Sequence, residues 1–124
     1  MSSVKSVLVV DDAAFMRVVL KDILKNTGIT AIFEAGDGLE AVKSFKDNRP
    51  SLVTMDVNMP KADGIQALKA ILTIDPTAKV VMVTAVEQKH VVDDAMKIGA
   101  KGYITKPFDR EMVSSVLSNV SRSA

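Results

Sequence analysis

Five short apolar or β-branched runs recur along the chain: Val7 to Val10, Thr30 to Glu34, Leu52 to Asp56, Lys79 to Val83 and Gly102 to Thr105. A helical pattern follows each of them. Runs of four or five such residues between turn signals read as buried strands. Strands that alternate with helices at spacings of roughly twenty to thirty residues are βαβ units, which build a parallel sheet covered on both faces. The expected fold class is therefore α/β, a doubly wound (βα)5 domain with a five-stranded parallel sheet. Parallel strands end at one common edge, and in open α/β sheets ligands bind in the crevice beyond it.

Four of the five runs end on a polar group suited to chemistry. Asp11 and Asp12 follow the first, Asp56 closes the third, Thr84 ends the fourth and Lys106 the fifth. Singly, each has a plainer reading: an N-cap for the aspartates, a buried β-branched residue for Thr84, a solvated cation for Lys106. Together at one sheet edge they form a constellation. Three crowded carboxylates repel one another and either hold a raised pKa or recruit a cation. Mg²⁺ suits such a site, because it takes one or two carboxylates and keeps room for water and a phosphate oxygen. A lysine and a threonine supply the positive charge and hydroxyl donor that a transferring phosphoryl group needs. Asp56 is then a carboxylate nucleophile that forms an acyl phosphate.

Between the strands, helical spacing puts Phe15, Met16, Val19, Leu20, Ile23 and Leu24 inward on the first helix, which Gly28 stops. Asp37 and Glu40 resemble a capping box ahead of a stripe of Leu39, Val42 and Phe45. Asp63 is placed to cap a third helix carrying Ile65, Leu68, Ile71 and Leu72, which Pro76 ends. Val91, Val92, Ala95 and Met96 face inward on the fourth helix. Met112, Val113, Val116, Leu117 and Val120 do so on the fifth.

The 124 residues are read as one domain, residues 1–124, with no output domain. The absence of cysteine excludes disulfides, thiolate metal sites and a cysteine nucleophile. Sixteen basic and fifteen acidic residues leave no bulk field for nucleic acid or an anionic membrane. Four consecutive apolar residues near the N-terminus are too few for a signal-peptide core or a membrane span, so a cytoplasmic protein is expected.

Asp11-Asp12, Asp56-Val57-Asn58-Met59-Pro60, Thr84-Ala85, Tyr103 and Lys106-Pro107 together resemble the receiver domain of two-component response regulators. The resemblance implies the flavodoxin-like strand order 2-1-3-4-5, which the apolar runs alone leave open. It implies that Asp56 accepts a phosphoryl group from a phosphohistidine of a sensor histidine kinase. Asp12, Asp56 and the backbone carbonyl of Asn58 would hold Mg²⁺, or Mn²⁺ in its place, with Asp11 acting through water. Lys106 and Thr84 would bind phosphoryl oxygens, Thr84 and Tyr103 would act as the switch pair, and Asn58 and Val86 would tune the phosphate lifetime. A cis Lys106–Pro107 bond is also implied. The run Asp12-Ala13-Ala14-Phe15-Met16-Arg17 is most similar to the stand-alone chemotaxis members of the family. For these the implied partners are a flagellar or archaellar motor switch protein or an adaptor, and a phosphatase. The implied output surface is the fourth helix, fifth strand and fifth helix.

Two other functions fit less well, and a third stays open. A haloacid-dehalogenase-type phosphatase shares the aspartyl phosphate but wants a second Asp two residues after the nucleophile, where Asn58 stands. A flavin-binding module would want a phosphate-cradling loop where Asp11-Asp12 stands. A single-domain phosphorelay intermediate or phosphate sink uses the same residues as a motor regulator. His90, the only histidine, is read as a solvated residue with no role, and Lys97, Lys101, Lys106 and Arg110 as a solvated basic face.

Overall fold

The computed structural model describes residues 5–25, 27–57, 64–85 and 89–121. Its strands are β1 (Ser6–Val10), β2 (Ala31–Ala35), β3 (Leu52–Asp56), β4 (Val80–Ala85) and β5 (Gly102–Lys106). They alternate with α1 (Ala14–Lys25), α2 (Gly38–Asn48), α3 (Gly64–Ile74), α4 (Lys89–Ile98) and α5 (Arg110–Ser121). Every pairing is parallel and the order is β2-β1-β3-β4-β5, the flavodoxin-like arrangement.

Side-chain alternation along the strands sorts the core into two layers. Val7, Val9, Leu52, Val81 and Ile104 pack beneath α1 and α5, against Leu20, Leu24, Val113 and Leu117. Leu8, Val10, Val53, Met55, Val80 and Met82 fill the other layer with Phe45 of α2, Leu68 and Ile71 of α3 and Ala95 of α4. Both faces of β1, β3 and β4 are covered, which is why these strands read as continuous apolar runs and not as alternating ones.

Three residues assigned to the core face water instead. Phe15 is 74% exposed, Leu39 65% and Met96 40%. At 100° per residue Phe15 stands about 140° from Leu20, Leu39 about 120° from Phe45 and Met96 about 100° from Ala95, so each lies off the stripe its helix buries. On α2 the inward position near the start belongs to Gly38, with Ala41 and Phe45 following.

The helix ends differ in detail from their sequence signals. Asp37 caps α2 by accepting the Glu40 N–H at 2.8 Å, while the Glu40 carboxylate accepts from Gly36 N–H at 3.3 Å, one residue upstream of a reciprocal box. Thr27 closes α1 with both its N–H and its hydroxyl on the Leu24 carbonyl, and Gly28 then turns the chain at φ 86°. After α3, Asp75 takes the Thr77 hydroxyl at 2.7 Å and the Thr77 N–H at 2.9 Å. These bonds hold its carboxyl below the usual range. Asp63, expected to cap α3, lies outside the described residues.

Leu24 is fully buried between α1, β1 and α5. Leu24→Ala is expected to cost about 2–5 kcal/mol, read as a lowered urea midpoint with an unchanged slope.

Candidate functional site

The sheet register assembles the site. Val10 pairs with Met55, so Asp11 leaves β1 beside Asp56, the last residue of β3. Asp56 pairs in turn with Val83, and Ala85 with Lys106, the last residue of β5. Four of the expected residues thereby meet. Among the described residues, Asp11, Asp12 and Asp56 bring one carboxylate oxygen each within 4.8 Å of one another. The Lys106 ammonium lies 3.2 Å from Asp11 Oδ2 and 3.6 Å from Asp56 Oδ1. Asp11 and Asp56 are buried, whereas Asp12 is exposed. The Lys106–Pro107 bond is cis, as expected.

Three carboxylates against one ammonium leave an excess of negative charge at a half-buried site. An all-oxygen donor set open on the Asp12 side fits a hard divalent cation such as Mg²⁺. Asp11 is already engaged at both oxygens, because Oδ1 accepts the Ala13 N–H at 2.9 Å and Oδ2 takes Lys106. That engagement favours its action through water over direct ligation. Its backbone carbonyl accepts from Arg17 Nη1 at 2.6 Å.

Thr84 is buried near the end of β4, and its hydroxyl donates to the Ala85 carbonyl at 3.1 Å. Tyr103 is 44% exposed on β5. It lines a groove of about 440 Å³ with Met96, Lys101, Thr105, Met112 and Val116, between α4, β5 and α5. This groove is separate from the carboxylates. Asn58, the expected carbonyl ligand, and Val86 lie outside the described residues, as does Met59. His90 is exposed.

Two residues that the sequence reading passed over support the site. Arg17 braces the Asp11 backbone. Gly64 opens α3 against the end of β3, where its N–H reaches the Val57 carbonyl at 3.3 Å. A Cβ on Gly64 would overlap the Asp56 carbonyl oxygen and stand 3.1 Å from both the Asp56 carbonyl carbon and Val57 Cα. A glycine as the first residue of a helix, eight residues after a strand-end aspartate, is the signal that could have pointed to it.

The family model of the response regulator receiver domain matches residues 7–118. The chain is 48% identical over 118 residues to chemotaxis protein CheY of Thermotoga maritima, covering 95% of this chain and 98% of that one. It is 49% identical over 114 residues to protein CcdB of Bacillus subtilis, covering 92% and 95%. A crystal structure of the CheX–CheY–BeF₃–Mg²⁺ complex from Borrelia burgdorferi contains a chain with TM-score 0.90 and 38% identity. The match covers 95% of this chain and 90% of that one.

Alanine in place of glycine within a helix normally gains about 1 kcal/mol. Gly64→Ala is expected to lower the urea midpoint instead, because the added methyl meets backbone that cannot yield without moving β3 or α3. An unchanged or raised midpoint would show that the contact relaxes without cost.

Proposed function

The chain belongs to the response regulator receiver family, and on that premise we propose that it is a phosphorylation-activated switch of chemotaxis signalling whose phosphoacceptor is Asp56. The observation that carries this reading is the Lys106 ammonium at the end of β5 lying between Asp11 and Asp56, where the ends of β1 and β3 gather three carboxylates. In the reaction an Asp56 carboxylate oxygen attacks the phosphorus of a phosphohistidine on a sensor histidine kinase. The new P–O bond replaces the P–N bond, and the imidazole leaves with its electron pair and takes up a proton. Asp56 becomes an acyl phosphate.

When bound, Mg²⁺, or Mn²⁺ in its place, would supply positive charge to the phosphoryl oxygens. Asp12, Asp56 and the Asn58 carbonyl would hold it, with Asp11 acting through water. Lys106 is already at the acceptor and binds a phosphoryl oxygen as charge develops. Thr84 must exchange the Ala85 carbonyl for a phosphoryl oxygen. Its movement opens space that the exposed Tyr103 ring can enter, which remodels the α4–β5–α5 groove. The protein is not an enzyme in this reading, but a phosphoacceptor with slow self-phosphorylation and self-dephosphorylation.

Residues 1–124 act as one receiver unit in the cytoplasm. The phosphorylated form binds a motor switch protein or an adaptor, and a phosphatase resets it. The likeness to a CheY seen with CheX and Mg²⁺ supports a protein output and a metal. The near-neutral charge argues against direct nucleic-acid binding. No helix among the described residues is long and apolar enough to cross a membrane. A phosphorelay intermediate or phosphate sink is the second reading, favoured by the equal similarity to a relative not named for chemotaxis. Onward transfer to a second histidine would distinguish it.

Acetyl phosphate with Mg²⁺ is expected to add one labile phosphoryl group, detected by intact-mass spectrometry, and Asp56→Asn to take none. Asp12→Ala should reduce labelling more than Asp11→Ala. Undiminished labelling of Asp56→Asn at another carboxylate would refute the assignment.

The switch has its own test. Beryllofluoride should tighten binding of the motor or adaptor partner, and Thr84→Ala and Tyr103→Ala should each shrink that factor. A factor unchanged in both variants would remove Thr84 and Tyr103 from the coupling.

A further inference from the structure

We infer that Arg17, held in place by Glu34, is a positioning residue that sets the geometry of the Asp11–Asp12 carboxylate pair. The inference rests on the magnesium reading above and adds a residue to it. The oxygen that Arg17 Nη1 grips at 2.6 Å belongs to the peptide joining Asp11 to Asp12. A peptide unit is planar, so fixing this oxygen fixes ψ of Asp11 and φ of Asp12, and with them the directions in which the two carboxylates leave the chain.

The guanidinium has its own brace. Arg17 Nε donates to Glu34 Oε1 at 3.0 Å, and Lys21 holds the other oxygen of Glu34 at 2.8 Å. The bonds from Lys21 and Arg17 hold the Glu34 carboxyl below the usual carboxylate range, so it stays ionised. Glu34 sits on β2, where Asp11 N–H reaches the Ala35 carbonyl at 3.1 Å. Asp11 is therefore tied to the edge strand twice, once directly and once through Arg17. A planar fork makes both Arg17 bonds at once, a geometry that a lysine point charge does not reproduce.

The sign of the effect separates positioning from simple charge. Arg17→Gln removes a cation near the metal site, so Coulomb's law alone predicts tighter binding of a divalent ion. Loss of positioning predicts weaker binding, and partners that orient metal ligands are commonly worth about 10–100-fold in affinity. The experiment is isothermal titration of MgCl₂ into the full chain without a phosphodonor. Amide hydrogen exchange at Ala13, whose N–H rests on the Asp11 carboxylate, is followed in parallel.

Arg17→Gln is expected to bind Mg²⁺ about tenfold more weakly than wild type and to exchange the Ala13 amide faster. Arg17→Lys, with its charge kept, should weaken binding in the same direction and serves if Arg17→Gln does not fold. Lys25→Ala removes a cation of the same helix whose ion pair is with Asp22 and not with Glu34 or Asp11, and should stay within about twofold of wild type. Equal or tighter binding by both Arg17 variants, with Mg²⁺ binding intact in wild type, overturns the inference alone. A wild-type chain that takes up no Mg²⁺ overturns the magnesium reading and the inference with it.

Discussion

Like charges do not gather at the edge of an apolar sheet without a counter-charge, and here it is the Lys106 ammonium, 3.2 Å from Asp11 and 3.6 Å from Asp56. Much of the fold serves to bring that cation there. The order β2-β1-β3-β4-β5 places the two acid-bearing strands side by side in the middle and delivers the lysine from an edge strand. The ammonium offsets only part of the negative charge. The remainder leaves an acidic, all-oxygen cluster that suits a hard divalent cation. Stability and function pull in opposite directions at this spot, as is common at sites that must accept charge.

The supports behind the carboxylates are of two kinds. Arg17 acts through hydrogen bonds, on a peptide oxygen of the Asp11–Asp12 pair. Gly64 acts by what it lacks, since a side chain there would push into the Asp56 backbone. Both lie on helices that start at the carboxyl edge of the sheet, but on opposite faces of it. Asp11 is thus steadied from the α1 layer and Asp56 from the α3 layer.

The fold was largely legible because central strands buried on both faces leave continuous apolar runs, which their shortness and β-branched residues mark as strands. The resemblance supplied the strand order, because apolar runs carry no record of which neighbours they pair with. At the site, Asp11, Asp12, Asp56 and Lys106 were readable as polar residues closing apolar strands. Phe15, Leu39 and Met96 were misassigned because the apolar stripe was drawn too wide around each helix, and each of them lies about 100° or more from a residue its helix buries. Arg17 was missed because its partner is a backbone oxygen, which has no letter in a sequence. Gly64 was missed because the neighbouring Asp63 drew the capping role.

The chain order of the counter-charges bears on how the protein is made. Asp11, Asp12 and Asp56 all lie in the first 56 residues, at the ends of two strands that pair with each other, while Lys106 belongs to the last of the five strands to leave the ribosome. Since chains emerge amino end first, β1, β2 and β3 can align around an acidic edge before its cation exists. Until β5 docks, that edge is a patch of unrelieved repulsion. Closing the sheet with the fifth strand thus brings the counter-charge as well as the last rung of the hydrogen-bond ladder, and a nascent chain stalled before Lys106 would carry the three carboxylates without their ammonium.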